Sequence, residues 1–268
     1  MRAIRHFAGL IVFLLWFPSV EAAACRYQAG FDAWLTDFKS QAAANGISAS
    51  AISALDGVDY DPGIVAKDRG QHVFRQIFEQ FSDRMVNSYR LHEGEALIKQ
   101  YAQTFDRIEQ EYGVPAPVIV AIWGLETDFG AVSGNTPTLR ALAPLAYDCR
   151  RSDMFQAELM DALRLIQRGD LSPSAQGAWA GEVGQIQFMP SSYLKYAVDF
   201  SGTGQRDLMH NVPDVLASTA NYLRSYAWQR GGSWTPGSAN FAVIKEWNKA
   251  DVYSRTIAYF ATRLAGGE

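Results

Sequence analysis

One glutamate, Glu126, lies where the sequence places a carboxyl group in apolar surroundings. It follows the run VIVAIWGL (residues 118–125), which is apolar on every side of a helix and predicts a buried central helix. Burial and the negative end of a helix dipole both disfavour a carboxylate, so both raise the pKa of Glu126. A protonated carboxyl group can donate its proton to a glycosidic oxygen. Position alone also allows Glu126 to be an ordinary exposed residue at a helix end.

Asp128 is the nearest carboxylate that could complete a catalytic pair. Most glycosidases use two carboxylates, but residues two apart on a helix do not face each other. We therefore interpret Asp128 as a helix-terminus or loop residue and expect a mechanism that uses one carboxylate.

A second segment with chemical potential is GAWAGEVGQIQFMPSSY, residues 177–193. Its three glycines permit a close backbone approach, and the amides of Gln185 and Gln187 can bind sugar hydroxyls and acetamides. Trp179 and Phe188 offer faces for sugar rings. The alternative interpretation is a tight turn in the core that contains a buried aromatic residue.

The elements that position these residues are predicted to be helices. Apolar residues at steps of three and four predict one helix from Glu93 to Tyr112, which Gly113 ends, and Pro115 and Pro117 suit the first turn of the next helix. Similar spacing recurs at 155–166, 216–227 and 253–260, and glycine-rich or proline-rich connections cover 130–137, 170–184, 200–205 and 231–237. We expect a mainly α protein with few short strands, in which residues 25–268 form one unit of two lobes around a cleft.

The composition supports a folded protein and argues against a nucleic-acid partner. The 268 residues are 48% hydrophobic and 13% aromatic, which is enough to form a sizeable core. The net charge of −4 leaves no basic surplus to neutralise phosphates.

The first 24 residues have the features of a secretory signal peptide. Arg2 and Arg5 precede an apolar run over residues 7–17, and small residues at 22–24 suit a cleavage site. The run is short for a membrane span, although an uncleaved anchor is the alternative. We expect export to the periplasm and no transmembrane segment after cleavage.

Cleavage after Ala24 would make Cys25 the first mature residue. Two outcomes are open, since lipoproteins are acylated on a cysteine at that position, whereas a disulfide with Cys149 is common in exported chains. Ala22 stands where lipoproteins usually have leucine, so we favour the disulfide over the lipid anchor. Two free buried thiols are a third possibility.

The ordered strings GLET (residues 124–127), GQIQFMPSSY (184–193) and ANYL (220–223) resemble the lytic murein transglycosylases of the membrane-bound lytic transglycosylase B family, glycoside hydrolase family 103. The resemblance runs from about Phe31 to Leu264. It implies a lysozyme-like catalytic core with an additional helical lobe around a glycan-binding cleft. It also implies non-hydrolytic cleavage of peptidoglycan between N-acetylmuramic acid and N-acetylglucosamine, with a 1,6-anhydromuramoyl product.

The same resemblance assigns roles to particular residues. Glu126 would be the catalytic acid and then base, and the substrate-binding residues would be Gln187, Arg150, Arg151, Trp247, Asn248 and Tyr253. Trp247 replaces a tyrosine of the family, and Ala178 replaces a serine in the glycine-rich loop. Surface salt bridges are the alternative for the two arginines, and core packing is the alternative for Tyr253.

A loop with the spacing of an EF-hand differs from the family's calcium site. Its positions are Asp199, Ser201, Thr203, Gly204, Gln205, Asp207 and His210. Only two carboxylates lie at ligand positions, and histidine replaces the bidentate glutamate. We expect a metal-free turn and no cofactor, with calcium binding as the weaker alternative.

Two other functions are compatible with the same residues. A lysozyme-like muramidase would use water to hydrolyse the same bond, and a wall-binding protein with a dormant cleft would not cleave it. The partners expected are peptidoglycan strands and, beyond them, proteins of cell-wall synthesis or remodelling.

Overall fold

The computed structural model describes residues 29–70 and 76–267, and the chain in these ranges is mostly helical. Its α-helices are α1 (Phe31–Ala44), α2 (Ala49–Ile52), α3 (Pro62–Arg69), α4 (Phe78–Met85), α5 (Ser88–Gln100), α6 (Ala102–Tyr112), α7 (Ala116–Thr127), α8 (Thr138–Tyr147), α9 (Ser152–Arg168), α10 (Pro190–Tyr196), α11 (Val212–Ser225), α12 (Ala239–Trp247) and α13 (Asp251–Leu264). A 3₁₀-helix, Ser53–Leu55, follows α2. The strands β1 (Thr136–Pro137) and β2 (Gln176–Gly177) pair antiparallel. The predicted mainly α class with few short strands is confirmed.

The predicted single helix from Glu93 to Tyr112 is wrong, because the chain bends at Tyr101 and forms α5 and α6. The φ and ψ angles of Tyr101 are −104° and 23°, outside the usual helical values. Its N–H still donates to the Leu97 carbonyl, and its carbonyl accepts from the Phe105 N–H. The three-and-four spacing of apolar residues therefore continues across the bend and cannot reveal it.

Helix α7 is the central helix, as its composition predicts. Pro115 precedes its first residue, Pro117 lies in its first turn, and Gly113 ends α6 with a left-handed φ of 77°. Residues 118–125 are all buried. Helices α5, α11 and α13 pack against it, so no face of this segment is left for solvent.

A left-handed turn closes the carboxyl end of α7. Asp128 and Phe129 have φ values of 48° and 59°, and the turn brings the Phe129 ring back over the helix. A Cβ atom at Gly124 would lie 2.7 Å from that ring, so glycine is required for this close approach. The Phe129 ring meets Trp123 edge-on at a centroid distance of 5.5 Å.

The buried apolar side chains form two clusters. The larger cluster combines α5, α6, α7, α10, α11, α12 and α13 with one residue of α9, and the smaller one combines α1, α2, α3, α8 and most of the buried residues of α9. The segment after β2 joins them, because Ala180 belongs to the smaller cluster and Val183 to the larger one. The assignment of residues 25–268 to one unit with two lobes remains a prediction, and the predicted signal peptide, residues 1–24, lies outside the described residues.

The two short strands fix the start of the glycine-rich segment. Thr136 pairs with Gly177, and both strands lie inside regions that the sequence predicts as connections. A Cβ atom at Gly177 would lie 2.0 Å from the carbonyl oxygen of Glu182, so this backbone approach requires glycine. Among the helices of the described ranges, none has the length and apolar character needed to cross a membrane.

Candidate active site

A cavity of about 410 Å³ opens where the carboxyl ends of α7 and α12 meet the glycine-rich segment. Its lining includes Glu126, Trp179, Glu182, Gln187, Trp247 and Asn248. Four of these residues were assigned to the site from the sequence: Glu126, Gln187, Trp247 and Asn248. The structure therefore brings together residues that are more than 120 positions apart in the chain.

The carboxyl group of Glu126 is held from two helices. The indole Nε1 of Trp247, the last residue of α12, donates a hydrogen bond of 2.9 Å to Oε1 of Glu126. The hydroxyl of Tyr253, in the first turn of α13, donates a second bond of 3.0 Å to the same oxygen. Two rigid donors thus orient the carboxyl group inside the cavity.

Burial raises the pKa of Glu126 from 4.5 to about 7. The hydrogen bonds from Trp247 and Tyr253 act in the opposite direction, because they favour the ionised form, and the negative charge of Glu182 raises the pKa further. Glu126 retains some surface toward the cavity while protein surrounds its carboxyl group. The group is therefore an acid that keeps its proton up to about neutral pH, in agreement with the direction predicted from the sequence.

Removing the Tyr253 hydroxyl is expected to shift the pH dependence of any activity that requires protonated Glu126. In Tyr253→Phe the carboxylate loses one donor, so the pKa of Glu126 rises and the acid stays protonated to higher pH. The alkaline limb of the rate profile should move upward by about one pH unit. A profile of initial rate against pH measures the shift, and a downward shift would contradict the assigned hydrogen bond.

Gln187 lies in the cavity wall in a strained conformation. Its φ of 51° is in the left-handed region, which is uncommon for a residue other than glycine. Its Nε2 donates to the carbonyl oxygens of Ser133 at 3.1 Å and Gly184 at 2.9 Å. The amide group is thus fixed by backbone atoms before any ligand binds.

The expectation that Gln185 binds sugar is wrong, because its amide group is used inside the protein. Its Oε1 accepts from Nε1 of Trp123 at 3.0 Å, and its Nε2 donates to the Met209 carbonyl at 3.0 Å. Its own carbonyl accepts from the Thr127 hydroxyl at 2.5 Å. Gln185 therefore ties the end of α7 to the glycine-rich segment and to the loop before α11.

Aromatic rings support the side of the cavity formed by α12. Trp247 lies 5.4 Å from the ring of Phe188 and 4.9 Å from that of Tyr222, measured between centroids. Beside it, Oδ1 of Asn248 accepts from the backbone N–H of Ala250 at 3.0 Å. Trp247 is therefore both packed and hydrogen-bonded, and Asn248 shapes the turn that leads into α13.

The two predicted arginines lie outside the main cavity. Arg150 and Arg151 both form ion pairs with the buried carboxylate of Asp68, in the last turn of α3. Arg151 also lines a neighbouring groove of about 320 Å³, which shares Glu182 and Met189 with the cavity. The structure thus places Arg151 beside the cavity and gives both arginines the salt bridges named as the alternative, with a partner, Asp68, that the sequence did not reveal.

Asp128 is not part of the cavity lining. Its Oδ1 accepts from Nε of Arg90 at 2.5 Å, and Nη1 of Arg90 also donates to the Met85 carbonyl at 2.7 Å. Asp128 is a loop residue that links α7 to α5, which agrees with its interpretation from the sequence.

Sequence reasoning missed Glu182 as a cavity residue. It lies inside the glycine-rich segment, residues 177–193, but nothing in that segment shows which side chains share a cavity with Glu126. Its carboxylate oxygen Oε2 is buried and has no hydrogen-bond partner. The one signal in the sequence that could have identified it is its position as an acidic residue within a glycine-rich segment.

The two carboxylates of the EF-hand-like loop, which is expected to be a metal-free turn, accept hydrogen bonds from backbone N–H groups. Asp199 accepts from the N–H groups of Thr203 at 2.8 Å and Gly204 at 2.6 Å. Oδ1 of Asp207 accepts from the N–H groups of Met209 at 2.8 Å and His210 at 2.9 Å. In the described part of the chain, no group of three or more His, Cys, Asp or Glu side chains is arranged to hold a metal ion.

Asp214, in the first turn of α11, accepts several hydrogen bonds from residues of the same loop. Its Oδ1 accepts from the N–H of Phe200 at 2.9 Å and from the N–H and hydroxyl of Ser201, each at 3.0 Å. Its Oδ2 accepts from the N–H of Asp207 at 3.1 Å. Asp214 has no exposed surface, so a buried carboxylate stands at the centre of the loop.

Comparison with known protein families agrees with this geometry. Residues 30–238 match the family described as Transglycosylase SLT domain. Membrane-bound lytic murein transglycosylase B of Escherichia coli (strain K12) is 38% identical over 154 residues, which cover 57% of this chain and 42% of the relative. The match thus spans less than half the length of that curated relative.

Comparison with solved structures gives the same result. SltB3 of Pseudomonas aeruginosa, in complex with NAG-anhNAM-pentapeptide, superposes with a TM-score of 0.84 at 30% identity. The match covers 89% of this chain and 80% of the SltB3 chain. The soluble lytic transglycosylase SltB1 of the same organism has a TM-score of 0.81 at 24% identity, covering 87% and 98%, and supports the fold alone. The predicted lysozyme-like fold is confirmed.

Proposed function

Because this chain belongs to the Transglycosylase SLT domain family, we propose that it is a lytic transglycosylase that cleaves the glycan strands of peptidoglycan. The observation that carries the proposal is the state of Glu126. Its carboxyl group lies in a cavity, receives two hydrogen bonds, and has a pKa raised to about 7 by burial. Such a group can give up a proton and take one back near neutral pH.

The reaction begins with proton transfer from Glu126 to the oxygen that links N-acetylmuramic acid to N-acetylglucosamine. The bond from the muramoyl C1 to that oxygen breaks, and Glu126 becomes a carboxylate. The carboxylate then takes a proton from the muramoyl C6 hydroxyl, whose oxygen forms a bond to C1 of its own ring. The product is a 1,6-anhydromuramoyl end.

Internal attack explains why one carboxyl group is sufficient for this reaction. The C6 hydroxyl is already tethered within reach of C1, so no second residue has to hold a water or form a glycosyl-enzyme bond. SltB3 of P. aeruginosa, which is similar to this chain over most of its length, was crystallised with NAG-anhNAM-pentapeptide. An anhydro compound in that relative's structure supports the same type of product here.

Mass spectrometry of muropeptides released from purified sacculi tests the proposal. Anhydromuramoyl ends are one water lighter than reducing ends and resist borohydride, so both properties identify them. Products that carry reducing ends alone would indicate a hydrolytic muramidase instead. Binding to sacculi without release would indicate a wall-binding protein with a dormant cleft.

The cavity residues are proposed to bind the sugars. Gln187, Trp247 and Asn248 line the cavity with Glu126, so each can reach a bound glycan. For Arg151 we propose a contact with a carboxylate or peptide stem of the substrate, because it lines the neighbouring groove. Arg150 is also proposed to contact the substrate, although it pairs with Asp68 and is not among the residues that line the cavity or the groove.

We propose that the protein acts in the periplasm after removal of residues 1–24, since peptidoglycan lies there and the N-terminal sequence suits export. Cys25 lies outside the described residues, so its disulfide with Cys149 remains a proposal. Intact mass measured with and without reductant distinguishes the disulfide, which adds two hydrogens on reduction, from a lipid anchor. Proteins of wall synthesis or remodelling remain proposed partners.

Calcium is proposed to be unnecessary for stability. Backbone N–H groups already satisfy Asp199 and Asp207, the two carboxylates at the predicted ligand positions. The melting temperature is therefore expected to change by less than about 1 °C when EDTA or millimolar calcium chloride is added. A clear rise with calcium, absent with magnesium, would show that the loop binds the ion.

A further inference from the structure

Tyr222 is the tyrosine of the ANYL string, residues 220–223, and the proposed reaction gives it no task. It lies on α11 and borders the cavity, but only 8% of its surface is exposed. Its ring meets that of Trp247 edge-on, with 4.9 Å between the centroids and 73° between the planes. The contacts that link Tyr222 to Glu126 therefore run through Trp247, which donates to the carboxyl group.

The hydroxyl of Tyr222 holds the carboxyl end of α12. It donates a hydrogen bond of 2.7 Å to the carbonyl oxygen of Glu246, the residue before Trp247. Carbonyl groups in the last turn of a helix lack a partner within the helix. The N–H four residues further on, that of Ala250, donates instead to Oδ1 of Asn248 at 3.0 Å. Tyr222 therefore satisfies a carbonyl group that the helix leaves open, and it fixes the turn that carries Trp247.

The indole of Trp247 is restrained on a second side by Phe188. The centroids of these two rings lie 5.4 Å apart, and the Phe188 ring also lies 5.7 Å from that of Tyr222. The indole thus presents its Nε1–H to Glu126 at 2.9 Å with little freedom to rotate. An indole N–H can only donate a hydrogen bond, so this contact favours the ionised carboxylate.

Both donors to Glu126 reach the same oxygen. Trp247 and Tyr253 each donate to Oε1, and a proton on that oxygen would oppose them, so the proton of the neutral acid belongs on Oε2. Oε1 is then the anchored oxygen and Oε2 the one that gives up its proton. The position of Trp247 therefore decides both the direction in which Oε2 points and how readily it loses the proton.

We propose that Tyr222 is a positioning residue for catalysis, which holds the end of α12 so that the Trp247 indole anchors Oε1 of Glu126. The inference rests on the proposed function, because Glu126 is the acid that is positioned. The hydroxyl of Tyr222 is bonded to the Glu246 carbonyl, so it acts through Trp247 and not on the sugar. Without this hydroxyl the bond from Trp247 to Glu126 loosens, which raises the pKa of Glu126 and slows cleavage.

The pH dependence of glycan cleavage tests this proposal in three variants, Tyr222→Phe, Trp247→Phe and the double variant. Trp247→Phe removes the indole donor, so the alkaline limb of the rate profile should move upward by about one pH unit. Tyr222→Phe should move the limb in the same direction by about half a unit, with a rate at pH 7 about fivefold lower. The double variant should have its limb where Trp247→Phe alone places it, because residues that act in one chain of contacts are not additive.

The other titratable groups beside these residues do not produce the expected shift. Burial raises the pKa of Tyr222 far above its usual value, and the neighbouring Tyr226, Tyr196 and Glu246 act in the same direction. The pKa of Tyr253 is also raised well above its usual value, first by burial and then by the charge of Glu126. The charge of Glu182 raises the pKa of Glu126, but Glu182 is present in every variant.

A measurement on the indole itself needs no substrate. In protein labelled with ¹⁵N-tryptophan, the Nε1–H signal of Trp247 is identified by its absence in Trp247→Phe. In the wild type this signal should move with pH at a midpoint of about 7, as Glu126 ionises. In Tyr222→Phe the signal should move less and at a higher midpoint, because the indole is held less firmly against the carboxyl group.

Tyr226→Phe is the matched control. Tyr226 directly follows α11, and its ring lies 4.9 Å from that of Tyr222. Its hydroxyl accepts a hydrogen bond of 3.1 Å from Tyr196, however, and that bond does not hold α12. Both the alkaline limb and the midpoint of the indole signal should stay within about 0.2 pH unit of the wild type. Melting curves show how much each substitution destabilises the fold.

The outcomes separate this proposal from the proposed function. A less stable Tyr222→Phe with an unchanged limb and indole signal would make Tyr222 a purely structural residue and overturn the proposal. Additive shifts in the double variant would overturn it too, because Tyr222 would then act by a separate route. A wild-type indole signal that does not respond to pH would contradict the bond between Trp247 and Glu126. If the wild type released no anhydromuramoyl ends, the proposed function would fail, while the indole signal would still report on Tyr222.

Discussion

Glu126→Gln is expected to reduce the rate of glycan cleavage by at least about a thousand-fold while the protein still binds peptidoglycan. Glutamine has nearly the same shape and retains an acceptor for the hydrogen bonds from Trp247 and Tyr253. It cannot donate a proton to the linking oxygen or take one from the C6 hydroxyl. Release of muropeptides from sacculi measures the rate, and co-sedimentation with sacculi measures binding.

The stability of Glu126→Gln is the control for the loss of activity. The pKa of Glu126 is raised from 4.5 to about 7, so as pH rises through this window the unfolded chain loses a proton that the folded protein keeps. Folding therefore becomes less favourable across that window for the wild type, and glutamine removes this effect. At pH 8 the variant should melt at or above the wild-type temperature. Near wild-type activity in a folded variant would show that another group is the acid.

Asp214→Ala is expected to lower the free energy of unfolding by about 3 to 5 kcal/mol. The substitution leaves three partly buried backbone N–H groups, those of Phe200, Ser201 and Asp207, without their acceptor. The same loop carries the Met209 carbonyl that accepts from Gln185, so the effect should reach the glycine-rich segment. Urea unfolding followed by circular dichroism measures the change.

Asp199→Ala is the matched control for this loop. Asp199 also accepts from two backbone N–H groups, but they lie at an exposed part of the loop where water can replace it. Its unfolding midpoint should therefore move much less than that of Asp214→Ala. Equal losses in the two variants would contradict the importance of burial at Asp214.

The features of the fold that depend on local sequence were predictable. Uniform apolarity identified α7, because a helix buried on all sides needs no polar face. Gly113 and the prolines at 115 and 117 marked its boundary through their backbone preferences, which depend on neighbouring residues alone. The position of Glu126 at the end of such a helix then predicted its burial and the direction of its pKa shift.

Contacts between distant parts of the chain were not predictable in this way. Nothing near Asp68 indicates that Arg150 and Arg151 pair with it, and nothing near Gln185 indicates that Trp123 and Met209 occupy its amide group. The bend at Tyr101 was hidden because it preserves the spacing of apolar residues. Glu182 was overlooked because only the folded chain shows that it shares a cavity with Glu126.

The complete enclosure of residues 118–125 restricts how this protein can diverge. Substitutions there disturb packing, so the helix that carries the proposed proton donor has little freedom to vary. The segment from Gly177 to Met189 has many side chains open to the cavity and contributes only part of either core. Changes in substrate preference should therefore arise at the cavity-lining side chains of that segment, such as Ala178 and Trp179, whereas its closely packed glycines have no such freedom.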